Sequence, residues 1–281
     1  MIITRELSLK TLTTFQDQGN IEISEFDDLA ELKDFIKVKK NIFVIGRGSN
    51  LIINPENKDN HFIKINSQIL PSSFEKNEVR LNAGLLGGKI LQFCIQYSLS
   101  GLEFIAGVPV TLGGMLAMNF GCFNQHISDF VVKVHVINEQ GQDFWLKKNE
   151  MDFGYRTSTV LKENLIVLEA VLRLEKKRPE IIRDNIKIFI EKRMQSQPLG
   201  QRTFGSIFKN PSGQVSGQIL DCLGYKGRRY KNLQIYEKHA NFLINLGKTE
   251  FTDILEFIAL IKEDVYNQTK IELQSEVIII K

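Results

Sequence analysis

The sequence predicts an α+β fold, on three observations. Strand-like runs recur along the chain, the clearest early one being residues 21–26 (IEISEF), where apolar and polar side chains alternate. A long run over residues 249–267 instead places Phe251, Ile254, Leu255, Ile258, Ile261 and Val265 at helical spacing. Between two strand-like runs in the middle of the chain, Asn138-Glu139-Gln140-Gly141 is a hairpin signal.

The remaining elements follow in order. After the strand at 21–26, Asp27 and Asp28 stand where acidic residues favour a helix start, and Leu29, Leu32, Phe35 and Ile36 carry the helix. Residues 41–45 (NIFVI) are a short apolar run ending in Gly46-Arg47-Gly48-Ser49-Asn50. Residues 51–53 and 62–65 read as strands separated by a polar turn, and residues 79–83 as another strand. A helix then carries Ile90, Leu91, Cys94, Ile95 and Tyr97 on or near one face, ending at Ser100-Gly101. Beyond a glycine-rich stretch come strands at 131–137, 143–146 and 166–174. The charged run 175–179, closed by Pro179, is expected to be a linker. A helix from about 179 to 194, a polar loop over 195–203, a strand at 242–245 and a terminal strand at 271–280 complete the expected order.

A chain of 281 residues suits one large domain or two to three lobes with a real core. Its 43% hydrophobic and 25% charged residues are those of a soluble globular protein. The net charge of +3 is too small and dispersed to argue for nucleic acid, and Lys176-Lys177-Arg178 and Arg228-Arg229 read as solvated surface. No apolar window approaches the roughly 18 residues that span a membrane, and the start MIITRELSLK lacks a signal-peptide layout. No membrane insertion and a cytoplasmic location are therefore expected. Cys94, Cys122 and Cys222 are odd in number and far apart, which argues against a disulfide framework. His61, His126, His135 and His239 form no HExxH-like pair, and no metal is expected.

Several segments could carry chemistry. Residues 101–123 hold Gly101, Gly107, Gly113, Gly114 and Gly121 in an otherwise apolar stretch. Glycine weakens regular structure, so the cluster needs a local reason: a backbone pressed against a ligand, or tight turns between buried strands. Gly46-Arg47-Gly48-Ser49-Asn50 follows an apolar run, where backbone N–H groups can form a phosphate nest. It matches neither GxxxxGK[ST] nor GxGxxG. Together the two stretches suggest a dinucleotide held by two separated loops. Gly154-Tyr155-Arg156 offers a fixed cationic fork for a carboxylate or phosphate, or a plain surface arginine. Residues 205–211 (GSIFKNP) pack a hydroxyl, an ammonium and an amide into an orienting site or a polar strand edge. His239 reads as a core histidine or a site residue. Glu276, amid aliphatic side chains, is either buried with a role or turned to solvent on an edge strand, and alternation leaves both open.

Taken in order, Thr13-Thr14-Phe15, residues 46–51, residues 107–121, Phe153-Gly154-Tyr155-Arg156-Thr157-Ser158, residues 205–211, Glu237-Lys238-His239-Ala240-Asn241-Phe242 and residues 273–277 make the chain resemble the UDP-N-acetylenolpyruvoylglucosamine reductases. These are flavoenzymes of the second step of peptidoglycan precursor synthesis. The resemblance covers nearly the whole chain and looks like the family's compact subtype. It implies an FAD-binding region of the vanillyl-alcohol-oxidase/PCMH type over residues 1–175, in lobes of about 1–66 and 67–175, with FAD between the lobes. A smaller α+β substrate domain would occupy 176–281. NADPH would reduce the flavin and leave, and the enolpyruvyl nucleotide sugar would then receive hydride at its methylene carbon.

By the same resemblance, Gly46, Arg47, Gly48, Ser49, Asn50, Leu51, Gly107, Val108, Pro109, Gly113, Gly114, Asn119 and Gly121 would bind FAD. Arg156 and Glu276 would stabilise the enolate-like charge on the substrate carboxylate, and Ser206 would protonate the adjacent carbon. Tyr155, Lys209, Asn210, Lys226 and His239 would lie near substrate, with Lys226 the natural diphosphate contact. Five departures stand out. Gln16-Asp17-Gln18-Gly19-Asn20 follows Phe15 where many members have two glycines. Val110 and Phe120 occupy places usually held by small residues, as does Phe204. Ser196 replaces a frequent lysine, and Tyr230-Lys231-Asn232 lacks a familiar glycine pair. The alternatives are another FAD oxidoreductase on this fold, or a non-catalytic flavin or nucleotide-sugar binding paralogue. A monomer with no nucleic-acid partner is expected.

Overall fold

The computed structural model describes residues 2–66 and 73–281. Residue 67, where a second FAD-binding lobe is expected to start, lies outside the described residues. The chain divides into two compact units: Met1–Arg5, Glu22–Gly46 and Asp59–Glu191 form the first, and Glu6–Ile21, Arg47–Lys58 and Lys192–Lys281 form the second. Helices and mixed sheets in both give the expected α+β fold.

One sheet, most of it in the first unit, runs in the order Ile3–Ser8, Asn20–Phe26, His61–Ile65 and Ile42–Val44, the last three parallel. The alternation read at 21–26 holds for Ile21 and Ile23, which share one buried face, but Ser24 and Phe26 on the opposite face are buried as well, so the strand is covered on both sides. Helix Leu29–Val38 starts at Asp28, whose carboxylate accepts from the N–H groups of Ala30 (2.7 Å) and Glu31 (3.1 Å). Such a cap contributes about 1 kcal/mol. Leu32 and Ile36 from this helix join Phe26, Ile63, Ile137, Ile166 and Leu168 in one core.

The second sheet of this unit is antiparallel throughout, in the order Asp143–Lys147, Val131–Ile137, Ile166–Arg173, Glu78–Asn82 and Ser73–Glu75. Its hairpin closes as expected, with Asn138 N–H donating to the Gln142 carbonyl and Gly141 N–H to the Asn138 carbonyl, both at 3.0 Å. Helix Gly87–Gln96 packs Ile90, Leu91 and Cys94 against Val79, Leu81, Val134 and Ala170.

The first two residues of the expected linker form a strand, while Lys177 and Arg178 are irregular. Glu175–Lys176 pairs antiparallel with Leu99–Ser100, because an edge strand needs backbone partners only and leaves both charged side chains in solvent.

The second unit holds an antiparallel sheet of Arg229–Tyr230, Leu233–Ile235 and Leu243–Asn245. It also holds a parallel pair, Leu51–Ile53 with Ile278–Ile280. Helix Phe251–Thr269 buries Ile254, Phe257, Ile258, Ile261 and Val265 on a core that includes Phe15, Ile52, Phe204, Ile207, Phe208 and Val277. It ends at Lys270, in left-handed conformation at φ 62°. The terminal strand is shorter than expected, Ile278–Ile280, because the preceding residues serve another partner. Gln274 accepts from Lys209 N–H, Ser275 bridges Phe208, and Glu276 N–H donates to Ile207 before the chain turns to Leu51–Ile53. The helix expected to end near 194 runs Pro179–Ser196, and a helix Ser216–Cys222 was too short to show a period. Among the described residues no helix is long and apolar enough to cross a membrane.

Candidate active site

The loop 46–50 crosses from the first unit into the second. Among the described residues, the N–H groups of Gly46, Arg47, Gly48 and Ser49 donate to no protein acceptor. Four successive unclaimed donors suit an anion such as a diphosphate. Gly48 sits at φ 57°, and a Cβ there would stand 2.5 Å from the Leu12 carbonyl oxygen. The Gly48 carbonyl in turn accepts from Thr14 N–H (3.3 Å), so the Thr13-Thr14-Phe15 motif holds this loop. Asn50 points to the far end of the chain: its side-chain amide donates to the Glu276 carbonyl (3.2 Å), and its own carbonyl accepts from Ile278 N–H (3.0 Å). Leu51 then begins the strand paired with Ile278.

The stretch 101–123 is neither a run of turns nor a bare cradle. It contains a 3-10 turn, Glu103–Ile105, and a helix, Leu112–Ala117, started by Thr111, whose hydroxyl accepts from Gly114 N–H (3.4 Å). Gly107 (φ 77°) and the exposed Pro109 flank the half-buried Val108. Gly113 N–H donates to Ala83 (2.8 Å), which pins the first helical turn. A Cβ on Gly121 would lie 2.1 Å from the ring of His126, an exposed side chain that would have to move aside. The larger residues at the usual small positions face their own cores. Val110 packs where a Cβ on Gly87 would meet its Cγ2 at 3.0 Å, and Phe120 stacks near Phe104 at 6.1 Å. Phe204 is fully buried against Phe15, ring centroids 4.7 Å apart.

Also in the first unit, Gly154 and Thr157 close a two-residue hairpin, with N–H to carbonyl distances of 3.0 and 3.5 Å. Tyr155 and Arg156 are its tip. Tyr155 is half exposed, and the Arg156 guanidinium lies 5.3 Å from its ring centroid. Arg156 has φ 55° and donates through Nη1 to the Gly121 carbonyl (3.1 Å). Asn119 is buried; its Nδ2 donates to the Gly154 carbonyl (3.0 Å), while its Oδ1 accepts no hydrogen bond. The predicted glycine stretch and the predicted arginine thus meet directly.

In the second unit, Ser206 bridges Phe242, and its hydroxyl has no protein partner among the described residues. One residue on, Ile207 accepts from Glu276 N–H (2.8 Å), so Ser206 and Glu276 lie on neighbouring extended segments. Glu276 is half-buried, between the two readings left open by its sequence. Lys209 and Asn210 continue the segment, and both are tied to the start of helix Ser216–Cys222. Ser216 Oγ donates to the Lys209 carbonyl, and Ser216 N–H to Asn210 Oδ1 (3.1 Å). Lys226 binds Asp221 at 2.6 Å. Burial, then the Lys226 charge, lowers the His239 pKa, so the ring is neutral. Its Nδ1 accepts from Asn241 N–H (3.2 Å), which leaves Nε2 as the donor. His239 is therefore neither a core residue nor a cation.

Asn241 was given no role from the sequence, yet it anchors the serine segment. Phe208 N–H donates to its Oδ1 (3.0 Å), and its Nδ2 donates to the Phe208 carbonyl (2.8 Å). Asn245 likewise holds the carbonyls of Phe15 (2.8 Å) and Gln16 (3.1 Å). The signal was available: two asparagines within ANFLIN are costly to bury unless hydrogen-bonded. The first unit carries Arg156; the second carries Ser206 and Glu276.

An α+β chain with a phosphate-type nest, and a second loop gripping an arginine turn, is consistent in class with a flavin-binding oxidoreductase. Two family models match: an FAD binding domain over residues 23–147, and the C-terminal domain of UDP-N-acetylenolpyruvoylglucosamine reductase over 197–280. The reductase of Alkaliphilus oremlandii is 35% identical over 97% of this chain and 91% of its own length. That of Bacillus subtilis is 34% identical over 92% and 86%. A crystal structure of the reductase from Thermus caldophilus superposes with a TM-score of 0.87 at 28% identity, covering 100% of both chains. The chain belongs to the UDP-N-acetylenolpyruvoylglucosamine reductase family.

Proposed function

We propose that this chain reduces UDP-N-acetylglucosamine enolpyruvate to UDP-N-acetylmuramate with NADPH, as an FAD-dependent oxidoreductase of cell-wall precursor synthesis. The observation that carries the reading is the pairing of the Ser206 segment with the Glu276 segment, fastened by Asn50 from the nest loop. It joins a proton donor, a carboxylate and residues 47–50 of the loop with unclaimed phosphate-type donors in one unit. Those donors and the buried, unpartnered Asn119 Oδ1 fit a flavin dinucleotide. Residues 46–51, Gly107, Val108, Pro109, Gly113, Gly114, Asn119 and Gly121 would hold it.

Bound FAD supplies the hydride chemistry. Arg156 and Glu276 stabilise the negative charge that develops on the substrate carboxylate, where a fixed charge is worth most. The Ser206 hydroxyl, free of protein partners, gives its proton to the neighbouring carbon. Tyr155, Lys209, Asn210 and the neutral His239 line the sugar nucleotide, and Lys226 faces its diphosphate. Residues 1–175 serve the flavin and 176–281 the sugar nucleotide. The family matches at 23–147 and 197–280 support that division, although segments 6–21 and 47–58 pack with the second unit. In the same reading the enzyme works as a monomer in the cytoplasm, where NADPH and nucleotide sugars are made.

The test is NADPH oxidation by FAD-loaded protein with and without UDP-N-acetylglucosamine enolpyruvate. Substrate-dependent turnover is expected. Its absence in a flavin-loaded sample would overturn the reading in favour of another oxidoreductase or a binding paralogue.

A further inference from the structure

Residues 117–121 and 154–158 are fastened to one another at three points. Ser158 Oγ donates to the Ala117 carbonyl (2.8 Å), Asn119 Nδ2 to the Gly154 carbonyl (3.0 Å), and Arg156 Nη1 to the Gly121 carbonyl (3.1 Å). The middle contact differs from the others. It reaches the carbonyl that closes the turn on which Arg156 is displayed. That carbonyl also accepts from Thr157 N–H, but at 3.5 Å, so the Asn119 amide makes the shorter of its two bonds.

Both residues stand in unusual backbone conformations. Arg156 has φ 55° and Asn119 φ 40°. A residue with a side chain stays in the left-handed region only where its surroundings over-determine it. The Gly154–Thr157 hairpin is two residues long, with one short and one long closing bond, and cannot supply that restraint alone. Asn119 adds to that restraint, because it is only 7% exposed and its Nδ2 donates to the Gly154 carbonyl.

We propose that Asn119 is a positioning residue that aims Arg156 at the substrate by holding the Gly154 carbonyl. This rests on the reading of Arg156 as the cation opposite the substrate carboxylate. Loss of Asn119 would let the turn relax and swing the guanidinium, and its effect would fall on the step that uses the Arg156 charge. Flavin reduction by NADPH involves no substrate carboxylate, whereas reoxidation by the enolpyruvyl sugar does.

The experiment is a double-mutant cycle on FAD-loaded enzyme, with each half-reaction followed by flavin absorbance. The variants are Asn119→Ala, Arg156→Ala and the pair, and flavin affinity and melting temperature are recorded for each. Removing the arginine is expected to slow sugar-dependent reoxidation about 100-fold or more. Asn119→Ala is expected to slow that step about tenfold more than it slows flavin reduction, as a misplaced group does. The pair should be no slower than Arg156→Ala alone, since Asn119 has nothing left to aim. Multiplied effects in the pair, or equal slowing of both half-reactions by Asn119→Ala, would overturn the proposal and leave Arg156 its role. Unimpaired reoxidation in Arg156→Ala would instead overturn the reading of Arg156. Should Asn119→Ala fail to load flavin, Asn119→Asp, which keeps the shape and loses the donor, is carried through the same cycle with the same outcomes.

Discussion

The rings of His135 and Trp145 lie face to face, with centroids 4.8 Å apart and planes 10° from parallel. Both His135 nitrogens also face carboxylates: Nδ1 is 3.1 Å from Glu169 and Nε2 2.8 Å from Asp143. An ionised carboxylate only accepts, so the ring carries two protons and a charge. Burial works against that charge, but the bonds to Glu169 and Asp143 outweigh it and raise the pKa above 6.5. Arg80 on Glu169 and Lys33 on Asp143 balance the carboxylates, and Lys133 lies 4.4 Å from the Trp145 ring centroid.

A histidine with a raised folded-state pKa contributes stability that is full below its unfolded value and lost as pH rises through the folded one. Stability should therefore decline above about pH 6.5 in a way that His135→Gln abolishes. The chain has one tryptophan, and it is the residue stacked on this ring. Its fluorescence should titrate with an apparent pKa above 6.5 in the parent and show no such step in His135→Gln. A midpoint at or below 6.5 would contradict the double clamp.

Asp17 should produce a larger effect on stability. It is 2% exposed, and neither carboxylate oxygen is hydrogen-bonded with good geometry. Burial pushes its pKa from 3.8 to about 7, against a small lowering by the Ile53 backbone. The folded state therefore holds a proton that the unfolded chain releases. Stability should fall as pH rises from about 4 to about 7 and level off above that, a loss on the order of 4 kcal/mol. Asp17→Val should flatten this slope and raise the melting temperature at pH 8. An unchanged slope would place the proton elsewhere.

Phe204 tests whether a departure from the family pattern is structural. Its ring is fully buried against Phe15, so Phe204→Ala should cost about 3–5 kcal/mol in denaturant unfolding. A cost below about 1 kcal/mol would show that the site collapses around the smaller residue.

Ser206→Ala separates chemistry from architecture. Flavin reduction by NADPH should survive, while the sugar-dependent half-reaction slows about 10²–10⁴-fold, as expected for loss of a general acid. Equal loss in both would make the serine structural.

Most elements with local causes were legible in the sequence. The strand Val131–Ile137, its hairpin and the helix Phe251–Thr269 follow from alternation, turn residues and helical spacing within a few neighbours. What escaped depends on distant partners. Glu175–Lys176 is a strand only because Leu99–Ser100 lies beside it. Ile271 to Val277 is interrupted as a strand because its backbone turns from Ile207 and Lys209 to Leu51–Ile53. Arg156 and Ser206 were found through motifs, whereas Asn241 was passed over because its partner, Phe208, is 33 residues away. The glycine-rich stretch suggested a ligand, and nothing in the sequence signalled that Gly121 also lies against the His126 ring.

The parallel pairing of Leu51–Ile53 with Ile278–Ile280 also sets a timetable for the nascent chain. Asn50 and Glu276, which flank this contact, are 226 residues apart. At about 5–20 residues per second, a ribosome needs roughly 10–45 s to deliver the second partner after the first. The intervening residues 59–191, all in the first unit, can complete their own core in that time. Ile52 and Ile53, fully buried at the end, must wait with an open apolar edge. The second unit is thus the late-maturing half, and its waiting strand is where a chaperone would first find something to hold.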